Sequence, residues 1–382
     1  MMRNALLLGS AAVAVSIGAC SDTLSTDPNP IPAVTDTVVP VLDRTVFVRG
    51  LSNPWDVAFL PNGELLITER PGLLRLRRIT GDLITVARPT DVVQGSEGGM
   101  MGMALDPQFA SNRYIYICIS SNLGSSTDNR MVRWTLAADG ASLSARRDIV
   151  TGLPWAGGRH SGCRPRFGPD GYLWIGTGDA ATGTNPQDLQ SLGGKVLRVT
   201  RDGAAAPNNP VIAGADARIY TYGHRNVQGI AFHPSTGATY ATEQGPAFDD
   251  EVNVLVAGAN AGWNPVPAYN ESVSMTDLTK YPNAMKAVWS SGSPARGTCG
   301  GGFISGAAWH AWNGALVLGQ LSGTRLLVLT FNTNGTVRKE TPVYGELGLR
   351  LRTPLQGPDG ALYITTDVSN GGGEIWRIAP RP

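Results

Sequence analysis

The sequence predicts an all-β fold, a six-bladed β-propeller of four-stranded antiparallel blades, and three observations carry that expectation. First, Gly (48) and Pro (26) are abundant in the 382 residues while charged side chains make up only 16%. Second, long helical periodicity is hard to find, whereas short runs of Val, Ile, Leu and Tyr bounded by Gly, Pro, Asn and Asp recur throughout. Third, one turn–strand phrase repeats. It reads Leu60-Pro61-Asn62-Gly63 leading to Glu64–Thr68, and Asp106-Pro107 leading to Tyr114–Ile117. Its clearest copy is Gly168-Pro169-Asp170-Gly171 leading to Tyr172–Thr177. It returns as His233-Pro234-Ser235-Thr236-Gly237, as a worn Trp312-Asn313-Gly314, and as Gly357-Pro358-Asp359-Gly360 leading to Ala361–Thr365. In each clear copy Pro fixes φ, Asp or Asn bonds its own backbone and Gly takes the positive φ. A blade alone cannot bury both faces, so blades must stack around an axis and close. A β-sandwich is the alternative, but a phrase repeated over this length favours the propeller.

In chain order, residues 1–19 read as a signal peptide, with Arg3 as the basic region and Ala5–Ile17 apolar. The segment Ile17-Gly18-Ala19-Cys20 resembles a bacterial lipobox, which predicts export and a lipid anchor on Cys20 at the periplasm-facing membrane or cell envelope. Residues 20–40 are rich in Ser, Thr, Asp and Pro and read as a flexible tether; residues 41–382 form the propeller. The formal net charge of +1 gives no support for nucleic-acid binding.

The chemically loaded stretch is Tyr222-Gly223-His224-Arg225-Asn226-Val227-Gln228-Gly229, followed through a strand-like segment by Glu243-Gln244-Gly245-Pro246-Ala247-Phe248-Asp249-Asp250-Glu251. Arg offers a rigid fork of donors to anionic oxygens. Carbonyls freed at a Gly-Pro turn, with carboxylates near, are hard ligands of the kind calcium takes. A surface hairpin with a solvated acidic run is the other reading of the same residues.

There are four histidines. His160 lies in a Gly-rich approach to a strand and is the candidate base. Asp179 ends the following strand, where an acid could orient the imidazole; a turn-starting Asp is the alternative. His224 adjoins Arg225, His233 belongs to a turn, and His310 is expected to pack between Trp309 and Trp312. Alternation puts Arg350 and Arg352 on one strand face, which needs an intervening anion or solvent. Cys118 is expected as a buried thiol, and Cys163 and Cys299 as a candidate disulfide pair in an oxidising compartment.

Taken together, Leu51-Ser52-Asn53-Pro54-Trp55-Asp56, Glu97-Gly98-Gly99-Met100-Met101-Gly102, the His160 segment, Gly193-Gly194-Lys195-Val196-Leu197-Arg198, Tyr222–Gly229, Glu243–Glu251 and Arg350–Arg352 resemble the soluble pyrroloquinoline quinone (PQQ)-dependent glucose/sorbosone dehydrogenase family, which includes the aldose sugar dehydrogenases. The resemblance implies a six-bladed propeller with PQQ and calcium as cofactors. It implies His160 as the base taking the proton from a sugar hydroxyl while hydride passes to the quinone C5, and Asp179 as its supporting acid. Arg225 and Asn226 are implied to contact the quinone, and Arg350 and Arg352 the PQQ carboxylates. The Gly245 and Pro246 carbonyls are implied calcium ligands, and Asp249, Asp250 and Glu251 a further, structural calcium site. Glu97 falls where well-studied members carry a Gln that approaches the cofactor; a carboxylate there repels PQQ unless protonated or paired with a cation. A Lys found in some members is absent from Gln320-Leu321-Ser322-Gly323. The implied partners are a sugar substrate and an external electron acceptor, since no haem-attachment motif is present. Two other function classes stay open on the residues: a calcium-dependent propeller hydrolase such as a lactonase, and a non-catalytic sugar- or protein-binding propeller.

Overall fold

The computed structural model describes residues 30–382, so the signal segment 1–19 and Cys20 lie outside the described residues. Six four-stranded sheets follow one another along the chain. Their first strands are Pro54–Phe59, Met100–Leu105, Gly162–Phe167, Val227–Phe232, Thr298–Phe303 and Leu351–Gln356, taken here as opening blades 1 to 6. These first strands neighbour one another around the ring, blade 6 against blade 1 included. All pairings within the sheets are antiparallel.

The repeated phrase folds as its chemistry predicts. In blade 1 the Gly63 N–H donates to the Leu60 carbonyl at 2.9 Å, with Gly63 at φ 86°. In blade 3 the Gly171 N–H reaches Gly168 at 2.9 Å and the Tyr172 N–H reaches the Asp170 carboxylate at 3.1 Å. Pro, Asp and Gly therefore place an i→i+3 turn that aligns the first two strands of the blade. The segment joining Gly229 to Thr242 is one of these hairpins rather than a single strand: Val227–Phe232 and Thr239–Glu243 pair across the His233 turn.

Second strands such as Leu65–Glu69, Leu173–Thr177 and Leu362–Thr366 are buried at every residue. Burial on both faces follows from stacking, because each sheet is covered on two sides by its neighbours. Among the described residues six apolar clusters result, each at the seam between two successive blades. Blade 6 takes its outer strand, Leu42–Leu51, from the start of the globular region, where it pairs with Gly373–Pro380. This seam closes the ring with chain segments from opposite ends and leaves no open blade edge at the junction.

Residues 30–40 have no regular structure, but they lie along blade 5. The Ile31 N–H donates to Thr333, the Ala311 N–H to Val38, and Asp36 accepts from His310 at 2.8 Å. His310 is thereby a partner of the N-terminal segment, with a side chain 41% exposed, and not the packed histidine expected from its Trp neighbours. The cysteine expectation is also corrected. Cys163 pairs with Cys118, their Cα atoms 5.7 Å apart across the seam between blades 2 and 3, and Cys299 is the free, buried thiol. Cys118 lies in the second strand of blade 2 and Cys163 in the first strand of blade 3, so only ring packing brings them together.

Among the described residues no helix is long and apolar enough to cross a membrane.

Candidate active site

The first strands of the blades carry polar side chains to one mouth of the ring. In blade 3, His160 sits in left-handed backbone (φ 48°) just before the first strand, and Asp179 lies just beyond the second. The hairpin brings them together, with His160 Nδ1 2.8 Å from Asp179 Oδ1. Asp179 also accepts from the Ala181 N–H at 2.7 Å and from Trp263 Nε1 at 2.9 Å. His160 Nε2 has no hydrogen-bond partner among the described residues, and it is not among the sealed polar atoms. Gly178 is required here for a close approach, since a Cβ on it meets the His160 carbonyl oxygen at 1.8 Å. Behind Asp179, the Gly193-Gly194-Lys195 segment anchors its loop. Lys195 Nζ donates to the carbonyls of Asn185, Pro186 and Gly193 at 2.6, 3.1 and 2.7 Å, and burial pulls its pKa down to about 7.

Blade 4 supplies Arg225, Asn226 and Gln228. The Asn226 side chain accepts from the Gly162 N–H at 3.0 Å and donates to Glu97 at 2.9 Å. Gln228 Nε2 donates to the same Glu97 oxygen at 2.7 Å. Glu97 is thus bound by two amides, and Arg70 and Arg352 lie close enough for their charges to interact with it. Arg225 donates to the Gln244 carbonyl at 3.0 Å and pairs with Glu271 at 2.5 Å.

In blade 6, Arg350, one residue before the strand Leu351–Gln356, and Arg352 within it meet on one carboxylate that the protein itself supplies. Asp367 Oδ2 lies 3.3 Å from Arg350 and 2.9 Å from Arg352. Asn53 donates to the other Asp367 oxygen at 3.0 Å. Burial alone would raise the Asp367 carboxyl, but Arg352 and Arg70 hold it well below the usual carboxylate range. Arg352 is buried, whereas the Arg350 side chain is 47% exposed.

The Gly-Pro turn is held by Asp250. Its oxygens accept from the backbone N–H groups of Gly245 (3.0 Å), Arg296 (2.7 Å) and Thr298 (2.8 Å). Asp249 accepts from Ser290 at 2.8 Å, and Glu251 binds Asn253 at 3.2 Å and Thr276 at 3.3 Å. Burial, then the neighbouring Glu243, pushes Glu251 up to about 8. The three carboxylates therefore have separate partners, and among the described residues no group of three or more acidic, His or Cys side chains converges as a metal cluster. The structure does not assemble Asp249, Asp250 and Glu251 into one ligand set. Only Glu251 belongs to a strand; Asp249, in left-handed backbone at φ 56°, and Asp250 lie in the turn before it.

Two features fit the cofactors implied by the sequence. The Gly245 and Pro246 carbonyl oxygens accept no hydrogen bond among the described residues, so both remain free as hard ligands. Arg225 Nε and Arg352 Nε are buried donors without a partner, suited to an anion at the mouth.

Several residues of this site were not foreseen: Asp367, Arg70, Gln228, Trp263, Tyr269 and Glu271. Asp367 had a usable signal. It is the first residue beyond its second strand, as Arg70 is in blade 1, whereas Asp179 lies two residues beyond. Gln228 comes from a first strand, and Trp263, Tyr269 and Glu271 come from the long loop between Glu251–Val254 and Trp289–Ser290; these four carry no local mark.

Comparison with known proteins gives the family of the chain. Residues 51–377 match the family model "Glucose / Sorbosone dehydrogenase". The aldose sugar dehydrogenase YliI of Escherichia coli is 32% identical over 344 residues, covering 87% of this chain and 91% of its own. Quinoprotein glucose dehydrogenase B of Acinetobacter calcoaceticus is 32% identical over 258 residues, covering 60% of this chain and 54% of its own. Among solved structures, the PQQ-bound aldose sugar dehydrogenase of Streptomyces coelicolor superimposes with a TM-score of 0.73 at 28% identity, covering 90% of this chain and all of that one. The chain belongs to the glucose/sorbosone dehydrogenase family and is, as a member, an oxidoreductase of the sugar dehydrogenase kind.

Proposed function

We propose that the protein oxidises an aldose or a related hydroxy-aldehyde to the lactone or acid, using PQQ and calcium at the mouth of the ring. The observation that carries this reading is the His160–Asp179 pair with Nε2 left free, in a molecule that also holds unpartnered donors on Arg225 and Arg352 and the free Gly245 and Pro246 carbonyls. Bound PQQ supplies the two-electron acceptor, and calcium a Lewis acid beside it. Arg350, Arg352 and Arg225 hold the anionic groups of that cofactor, with Asn226 beside them, and the Gly245 and Pro246 carbonyls hold the cation. Glu97 is tied to Asn226 and Gln228 and lies among the charges of Arg70 and Arg352. That surrounding offsets its repulsion of an anionic ligand.

His160 Nε2 takes the proton from the sugar hydroxyl, and Asp179 stabilises the imidazolium that forms. Arg225 lies on the same rim, where it orients the oxygens around the transferred electrons. The calcium-dependent hydrolase reading has less support, because it needs carboxylates converging on one cation and the described residues hold no such cluster. Electrons then leave to an external acceptor. The lipobox-like segment supports export and anchoring through Cys20, which places the reaction on the periplasmic side.

The test is a chain beginning after Cys20, reconstituted with PQQ and calcium and assayed for aldose-dependent reduction of an artificial dye. Turnover that requires PQQ, calcium and His160 is the expected result. Failure to bind PQQ at micromolar concentration, or lactone hydrolysis without an electron acceptor, defeats the proposal.

A further inference from the structure

The loop between Glu251–Val254 and Trp289–Ser290 of blade 4 reaches across the mouth and touches the candidate base. The Tyr269 hydroxyl lies 2.8 Å from His160 Nδ1 and donates to Asp179 Oδ2, also at 2.8 Å. His160, Asp179 and Tyr269 thus close a three-membered ring of hydrogen bonds, with Trp263 Nε1 of the same loop as a further donor to Asp179.

The placement of Tyr269 is built. Ala268 and Tyr269 both adopt left-handed backbone, φ 60° and 51°, a conformation that non-glycine residues hold only where surroundings fix it. The Asn270 N–H closes the turn on the Pro265 carbonyl at 2.6 Å. One residue further, Glu271 clamps the loop to the site. One oxygen pairs with Arg225 at 2.5 Å and the other with Arg159 at 2.8 Å. The Arg159 guanidinium lies 5.4 Å from the Tyr269 ring centroid. The charged and titratable groups around the pair are therefore Asp179, Arg159 and, behind Asp179, Lys195 from blade 3, Arg225 from its neighbour, and Tyr269 and Glu271 from the loop.

Resting on the dehydrogenase reading above, we propose that Tyr269 is a positioning residue for that reaction: its hydroxyl holds the His160–Asp179 pair so that the proton stays on Nδ1 and the Nε2 lone pair faces the substrate. An Asp179 carboxylate ringed by the Ala181 N–H, Trp263 Nε1 and the Tyr269 hydroxyl accepts a hydrogen bond from Nδ1–H rather than donating one to Nδ1. Burial, followed by the Asp179 charge, keeps the phenol pKa above its ordinary value, so Tyr269 stays a donor across the working pH range. The phenol oxygen also accepts from Nδ1–H, and its proton disperses the carboxylate charge. It therefore moderates the basicity of His160 as well as its orientation.

The test uses Tyr269→Phe in two settings. In the PQQ- and calcium-reconstituted enzyme, kcat is expected to fall about tenfold with KM for the sugar changed less than about threefold, since the two positioning hydrogen bonds of one hydroxyl are lost and no substrate contact. In the cofactor-free protein, NMR titration of the labelled histidines is expected to show the His160 midpoint moving upward, because Asp179 loses a donor and attracts the imidazolium more strongly. The acid limb of the kcat profile should move in the same direction. Difluorotyrosine at position 269, a stronger donor with an unchanged outline, is expected to shift the His160 midpoint downward, and serves if the Phe variant does not fold. An unmoved His160 midpoint in either variant, or a kcat within twofold of the unaltered enzyme, overturns the proposal. The titration needs neither quinone nor sugar. If the unaltered holoenzyme oxidises no aldose while Tyr269→Phe still moves His160, the dehydrogenase reading fails and the Tyr269–His160–Asp179 linkage stands.

Discussion

Blades 3 and 4 each carry a histidine–carboxylate pair at the open end of their first hairpin, and the two pairs have opposite fates. His160 and Asp179 are 19 residues apart in blade 3, and His224 and Glu243 are 19 residues apart in blade 4. In both, the histidine precedes the first strand; Asp179 lies two residues beyond the second strand of its blade, and Glu243 is the last residue of its own. In both, Nδ1 faces the carboxylate, at 2.8 and 2.9 Å. The difference lies at the other nitrogen. His224 is fully buried and its Nε2 is bound to Thr221 at 2.9 Å. Its Glu243 is taken up further by the Arg225 N–H and by Asn253. His160 keeps Nε2 free at the mouth. One hairpin geometry thus yields a structural tie in one blade and a candidate base in the next, depending on whether a neighbour occupies the last ring nitrogen.

The comparison can be broken most sharply by removing the two histidines. His160→Ala is expected to lower kcat by about 10²–10⁴-fold, and Asp179→Asn by about 10²-fold or more, with little change in the unfolding midpoint. His224→Ala is expected to do the reverse. It leaves Glu243 buried without its partner and costs about 3 kcal/mol, read as a lower urea midpoint, while kcat per folded molecule changes little. Equal losses of activity from both substitutions would show that the two pairs are not functionally distinct.

A smaller effect sharpens the contrast at a third acid near the end of a second strand, Asp367 of blade 6. Asp367→Asn removes the carboxylate that neutralises Arg352 and Arg70 and is expected to cost about 2 kcal/mol at neutral pH. The sign follows from its folded-state pKa, which lies below the unfolded value. Its contribution is fully present above the unfolded value near ~4 and is lost as pH falls through the folded one. The unaltered protein and the Asn variant should therefore converge in urea stability as pH falls towards ~3 and differ most at pH ~7. A constant difference across that range would assign Asp367 a packing role only.

Much of the site could be read from the chain because the repeat fixes local geometry. The Pro-Asp-Gly turns, the hairpins they start and the approach of Asp179 to His160 all depend on residues within one hairpin. Arg350 lies one residue before the strand Leu351–Gln356, and it is the shared carboxylate of Asp367 that brings it beside Arg352. Asp249 and Asp250 lie in the turn before the strand that begins at Glu251, where the backbone of the turn and not alternation sets their directions.

The chain by itself determined the six phrases, their turn chemistry, the all-β class and the identity of the candidate base, because short-range backbone bonds and φ preferences act within a few residues. Only the tertiary structure decided which distant groups meet. It joined Cys118 to Cys163 rather than Cys163 to Cys299, set Asp367 between two arginines, brought a loop tyrosine onto the His160–Asp179 pair and drew Leu42–Leu51 into the last blade. These contacts arise from closing the ring, where each blade must find its partner surface on the next, and no periodicity along the chain encodes which side chains then face each other.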